Sequence, residues 1–198
     1  MKVTPILVTI AIASSLAQIV ALPKAVLAQE TIKWTQDDVN KNLDKVINNT
    51  SVSNYWMAGD HQTNTELVDA AVPGQVVKRV VVSESGAVWE AAAHSAFTRA
   101  ISIGDLIVVA VWLRPEKLPE GDACQVNLRI EATEPPYSTP GEKQITITPD
   151  WQLYSFQAVA DADYPAGKAN IVIQYGNAKQ VLLIGPVYVL NIGPSVAK

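Results

Sequence analysis

The side chains able to do chemistry in this sequence are spaced two apart. Trp112 and Arg114 are one such set, Asn127, Arg129 and Glu131 another, and Gln174 stands near the end of a further apolar run. In a strand, residues two apart share a face, so each set projects as a unit. Aromatic rings beside amides, guanidinium and carboxylate suit a ligand with apolar C–H faces ringed by hydroxyls, that is, a sugar. Tyr137, in the proline-stiffened stretch TEPPYSTPGE at 133–142, would close one end of such a surface. Trp89, Glu90 and His94 fall on another segment, on opposite faces, so at most two of them line one groove. Each has a plainer reading: Trp112, Trp89 and Trp151 as core aromatics, Arg114, Arg129 and Glu131 as ion pairs on a solvated face, His94 as an ordinary surface or hydrogen-bonded histidine.

Other chemistries find less support. Cys124 is the single cysteine, so no internal disulfide forms, and with only His61 and His94 there is no zinc-spaced cluster or Cys–His nucleophile pair. Gly-rich phosphate loops and Gly-x-Ser-x-Gly elbows are absent. A glycoside hydrolase needs two carboxyl groups facing each other across a cleft. Glu90, Glu131 and Glu134 are the acids to consider, and nothing in their spacing marks a pair. No cofactor is implied; Asp161 and Asp163, with neighbouring carbonyls, are the candidate ligands for a structural calcium.

The elements that position these groups begin after an export signal. Residues 1–28 read as a secretory signal peptide: Lys2 at the start, an apolar stretch over 6–21, and Val26-Leu27-Ala28 before a cut at Gln29. Pro5, Ser14-Ser15, Gln18 and Pro23-Lys24 leave too short a span for a membrane anchor, so a secreted or periplasmic protein is expected, without membrane insertion once the signal is removed. Removing Lys2 and Lys24 from 15 basic residues leaves 13 against 19 acidic, a net charge of −6. That disfavours nucleic acid and anionic membrane as partners. With 48% hydrophobic and 17% charged residues the chain has enough apolar material for a globular core.

Residues 35–48 predict one helix, capped by Thr35 with Asp37 and Asp38 in its first turn and Val39, Leu43, Val46 and Ile47 on one face. From Ser51 onward the texture is strands and turns. Tyr55-Trp56 is a short strand, 59–66 a polar loop, and 75–82 a β-branched strand after the Pro73-Gly74 turn. Residues 88–97 read as one strand with Trp89, Ala91, Ala93, Ser95 and Phe97 alternating against the rest. The run 106–113 is apolar on both faces, which places it in the middle of a sandwich. Its face with Ile107, Val109, Val111 and Leu113 is the core candidate. Loops follow at 116–122 and 161–167, and strands at 123–132, 144–148 and 151–159. In 123–132, Val126, Leu128 and Ile130 face the core and Gln125, Asn127, Arg129 and Glu131 face away. Residues 169–175 and 181–190 predict a hairpin across Gly176-Asn177-Ala178, with a bulge or an edge at Gly185-Pro186. Short strands at near-regular spacing mean an antiparallel β-sandwich or jelly roll with one N-terminal helix. The expected division is 1–28 signal, 29–50 helical extension and 51–198 sandwich.

The order of motifs carries a resemblance. Gly74…Val80-Val81-Val82, Trp89-Glu90, Ala100-Ile101-x-x-Gly104-Asp105, Trp112-x-Arg114, Glu134-Pro135-Pro136-Tyr137, Trp151, Tyr164-Pro165-x-Gly167 and Ile184-Gly185-Pro186 together are similar to a carbohydrate-binding module. The type is the galactose-binding-like jelly roll that accompanies secreted xylanases and related glycoside hydrolases, matched over about 72–193. The resemblance implies a non-catalytic sandwich binding a polysaccharide or oligosaccharide of xylan or β-glucan class through a sheet face. On this reading Trp112, Arg114, Arg129 and Glu131 share one polar face, flanked by Asn127, Tyr137, Gln174, Trp89 and Glu90. An envelope or adhesion subunit using the same surface for a protein partner is the other reading.

Overall fold

The computed structural model describes residues 33–84, 86–117 and 124–195. The expected signal peptide lies outside the described residues, as does most of the loop expected at 116–122. Ten strands are described: β1 Trp56–Ala58, β2 Gln62–Val68, β3 Val76–Val82, β4 Ala92–Ala96, β5 Asp105–Lys117, β6 Cys124–Ala132, β7 Gly141–Ile147, β8 Gln152–Val159, β9 Ala169–Gln174 and β10 Gln180–Pro194. They form two five-stranded sheets, ordered β1-β4-β9-β6-β7 and β2-β3-β10-β5-β8, and every pairing between these strands is antiparallel. The fold is the expected β-sandwich.

The core lies between the sheets. Ile107, Val109, Val111 and Leu113 of β5 meet Val126, Leu128 and Ile130 of β6 and Ile171 and Ile173 of β9, all buried, as alternation predicts. The second face of β5 is apolar for a different reason. Val108 and Ala110 pack with Leu153, Tyr188 and Leu190 beneath Val39, with Trp34, Val46 and Trp112 against them. Residues 34–46 thus form a third layer on the back of the second sheet, while Ile47, Val52 and Tyr55 join the core between the sheets.

That segment corrects the helix expected over 35–48. The cap is as read: Thr35 Oγ1 accepts from the Asp38 N–H at 3.2 Å, and Asp38 Oδ2 accepts from the Thr35 N–H at 2.9 Å. The α-helix, α1, nevertheless spans only Gln36–Asn40, followed by a 3₁₀ turn at Leu43–Lys45. Val46 then bridges Leu190, and Asn48 bridges Phe97. Asn48 is buried: its Oδ1 accepts from Val189 N at 2.8 Å, while its Nδ2 donates to Val187 O and Ser95 Oγ, both at 3.0 Å. These long-range bonds join both sheets, and a continued helix would forfeit them.

Three further expectations are corrected. Residues 169–175 and 181–190 do not form a hairpin: β9 runs between β4 and β6 in one sheet, β10 between β3 and β5 in the other. Their connection arches across the sandwich, fastened where the Tyr175 N–H donates to Ala91 O at 2.9 Å and Gln180 Nε2 to Tyr175 O at 2.7 Å. At Gly185-Pro186, where a bulge or an edge was expected, the structure has the bulge, with the register slipping between Ile184 and Val187 in the central strand. A central strand tolerates this proline because the Tyr55 hydroxyl replaces the broken ladder. It donates to Gly185 O at 2.9 Å and accepts from Val187 N at 2.8 Å. Finally, most of the expected loop at 59–66 is strand β2, and 88–97 opens with a 3₁₀ turn, Val88–Glu90, before β4.

Candidate functional site

The outer face of the first sheet carries an unbroken row. Trp56 on β1 stands opposite His94 on β4, His94 opposite Val172 on β9, Val172 opposite Arg129 on β6, and Arg129 opposite Glu142 on β7. Four strand spacings of about 4.8 Å make this row roughly 19 Å long. Beside it, Gln174, Asn127 and Gln144 align on one flank, Asn170 and Glu131 on the other.

Arg129 organises the centre. Its Nε donates to Glu131 Oε2 and its Nη1 to Glu142 Oε2, both at 2.8 Å, and its Nη2 donates to the Tyr137 carbonyl at 3.0 Å. One guanidinium between two carboxylates leaves a surplus of one negative charge. Asn127 Nδ2 donates to Gln174 Oε1 at 3.0 Å, so amides continue the polar strip. Tyr137 has φ +53°, a left-handed backbone uncommon for an aromatic residue, which its N–H bond to Glu134 O and the Arg129 contact hold in place.

Two tryptophans bracket this strip. Trp56 is 65% exposed, its ring 4.5 Å from that of His94 and inclined at 43°. Trp89, on the 3₁₀ turn, is 67% exposed and with Val88 overhangs Asn127, Arg129, Glu131, Glu142 and Gln174, enclosing a cleft of about 400 Å³. Burial pushes the His94 imidazole down to about 4, so it is neutral beneath Trp56 at ordinary pH.

The expected set is therefore split. Asn127, Arg129, Glu131, Gln174, Tyr137 and Trp89 come together. Trp112 and Arg114 do not: β5 belongs to the second sheet, and their outer face points away from β6's. Trp112 Nε1 donates to Gln36 Oε1 of α1 at 2.9 Å. Arg114 lies over the Trp151 ring, 5.4 Å from its centroid, and Trp151 Nε1 donates to Asp69 Oδ2 at 2.9 Å. Alternation assigns faces within a strand but not the sheet the strand joins. Glu90 turns back on its own loop, where its carboxylate accepts from the Ala87 N–H at 3.1 Å. Glu134 pairs with Lys168 at 2.5 Å, which holds its carboxyl below the usual range. The sequence reading missed Trp56, Glu142 and a structured role for His94. A three-residue strand has too little alternation to fix a face, and Glu142 sat in what read as loop.

Asp161 accepts from the Tyr164 hydroxyl at 2.7 Å and Asp163 from the Ile103 N–H at 2.8 Å. Among the described residues no three His, Cys, Asp or Glu side chains converge on a metal-sized site. Cys124 is buried, its thiol donating to Gln180 Oε1 at 2.8 Å and pushed up to about 12 by burial, far from a reactive thiolate.

No protein-family model matches the chain, and no curated protein matches it in sequence. Its fold is nevertheless found among solved structures. One is the CBM22-1 and GH10 portion of the N-terminal endo-1,4-beta-D-xylanase 10B of Clostridium thermocellum, complexed with xylohexaose. It has a TM-score of 0.53 at 13% identity, over 74% of this chain and 28% of that one. Another is the N-terminal cellulose-binding domain of Cellulomonas fimi beta-1,4-glucanase C, at 0.50 and 16%, over 73% and 90%. The fold is that of carbohydrate-binding modules. A Stig cyclase, Fisc from Fischerella sp. TAU, solved with an indole ligand, shares it at 0.52 and 9%, over 75% and 90%. At such identities the likeness speaks for the fold alone, and the site must carry any function.

Proposed function

We propose that the protein is a non-catalytic carbohydrate-binding protein that takes a polysaccharide of xylan or β-glucan class across the outer face of the first sheet. The observation that carries this reading is the row from Trp56 to Glu142, with two exposed tryptophans over a strip of amide and charged side chains. A tryptophan two-thirds exposed does little for the core, whereas its face is ready to stack on the C–H side of a pyranose. Ring hydroxyls would then meet Asn127, Gln174, Arg129, Glu131 and Glu142, whose charged members make the stronger hydrogen bonds. The groove carboxylates Glu131 and Glu142 accept from one guanidinium, a poor arrangement for an acid and a nucleophile on opposite sides of a glycosidic bond. The fold's occurrence in xylan- and cellulose-related modules supports the ligand class, and the signal-like segment supports work outside the cytoplasm.

Affinity electrophoresis of the protein through gels containing xylan, β-glucan or no polysaccharide tests this. Retardation by a polysaccharide, lost in Trp56→Ala and Trp89→Ala, is the expected result. Retardation unchanged in both variants would move the site elsewhere. A parent that binds no glycan would leave the surface to a protein partner.

A further inference from the structure

We infer that β2 is a dimerisation edge, by which a second copy of this chain pairs to extend the second sheet across a two-fold axis. Strand β2 pairs with β3 in a regular register from Gln62 opposite Val82 to Val68 opposite Val76. Among the described residues its other side faces no strand, since β2 ends the order β2-β3-β10-β5-β8. Every second residue therefore turns its N–H and C=O outward, away from β3 and from any strand among the described residues.

Free edges are usually blunted by shortness, a bulge, proline or lysine. Strand β1 is three residues long, β7 carries Lys143, and β8 is covered, with Leu153, Ser155, Phe156 and Ala158 buried. The edge of β2 has none of these protections. It is seven residues long, its register with β3 has no slip, its residues 63–68 are all exposed, and it ends in Leu67 and Val68, the latter 82% exposed.

The strand is also complementary to itself. With the axis at Thr65, antiparallel pairing sets Thr65 against its mate, Thr63 against Leu67, Asn64 against Glu66 and Gln62 against Val68. No like charges stand directly opposite each other, and a Thr–Thr pair is favourable across strands. Glu66, the one charged residue of β2, meets its symmetry mate only on the diagonal. It is already matched in its own chain, accepting from the buried Lys78 at 2.9 Å and from Ser53 Oγ at 3.0 Å. Its charge therefore does not oppose a second copy. The dimer is independent of the glycan reading, whose groove lies on the other sheet.

Sedimentation velocity of the purified protein between about 1 and 100 µM tests the inference, a range that brackets micromolar association. The expected result is a concentration-dependent species of twice the monomer mass. Thr65→Lys sets two ammonium groups on the axis and should give monomer throughout with an unchanged circular-dichroism spectrum. Asn64→Lys faces the partner's Glu66 and should tighten the dimer several-fold. A parent that sediments as monomer across the range, or a dimer indifferent to both substitutions, overturns the inference.

Discussion

Trp56 and His94 meet across β1 and β4 with ring centroids 4.5 Å apart and ring planes inclined at 43°. The neutral imidazole is a platform for the indole, and the indole in turn keeps water from the imidazole. Trp56 therefore presents its outer face at a set angle from a strand of only three residues. If a glycan stacks there, Trp56→Ala should weaken binding by about tenfold, roughly 1.4 kcal/mol, while the melting temperature stays within a degree or two. Isothermal titration calorimetry beside a thermal melt separates the two effects.

Arg129 joins β6, β7 and the Tyr137 loop through three donors. Arg129→Lys keeps the charge but cannot fork to three acceptors, so it should release Tyr137 and lose binding on the order of tenfold. A lysine variant with parental affinity would show that the planar fork is not what the ligand reads. The expected stability loss is about 1 kcal/mol, visible in urea melts.

The opposite outer face should affect stability and leave binding alone. Gln36→Ala removes the acceptor of Trp112 Nε1 and is expected to cost about 1 kcal/mol. Its glycan affinity should equal the parent's, and a loss of affinity would bring the second sheet back into the binding site.

Tyr55→Phe leaves both the Gly185 carbonyl and the Val187 N–H without their partner at the bulge. Two orphaned buried groups should cost on the order of 2–4 kcal/mol, far more than an exposed hydroxyl would. Chemical denaturation reads this directly.

His94 makes stability depend on pH. Its folded value of about 4 lies below the ordinary 6.5, so between those limits the unfolded chain binds more protons. Stability rises with pH where that holds, so its contribution is present above about pH 6.5 and is lost as pH falls toward 4, by on the order of 1–3 kcal/mol. His94→Phe, compared with the parent in urea melts at pH 7 and pH 5, should show a smaller drop between the two.

The sequence alone determined what is local. Alternation in 123–132 put Val126, Leu128 and Ile130 inside and Asn127, Arg129 and Glu131 outside, because a strand's two-residue period needs no knowledge of its neighbours. The Thr35 cap, an interruption at Gly185-Pro186 and the sandwich class were legible in the same way. Only the tertiary structure decided which strands share a sheet. It sent β9 and β10 to different sheets, moved Trp112 and Arg114 to the far side from Arg129, and brought Trp56 and Glu142 into one row. It also stopped α1 at Asn40, because Asn48 gains more from bonding both sheets than from another helical turn. Such choices depend on contacts between residues far apart in the chain, and local periodicity carries no record of them.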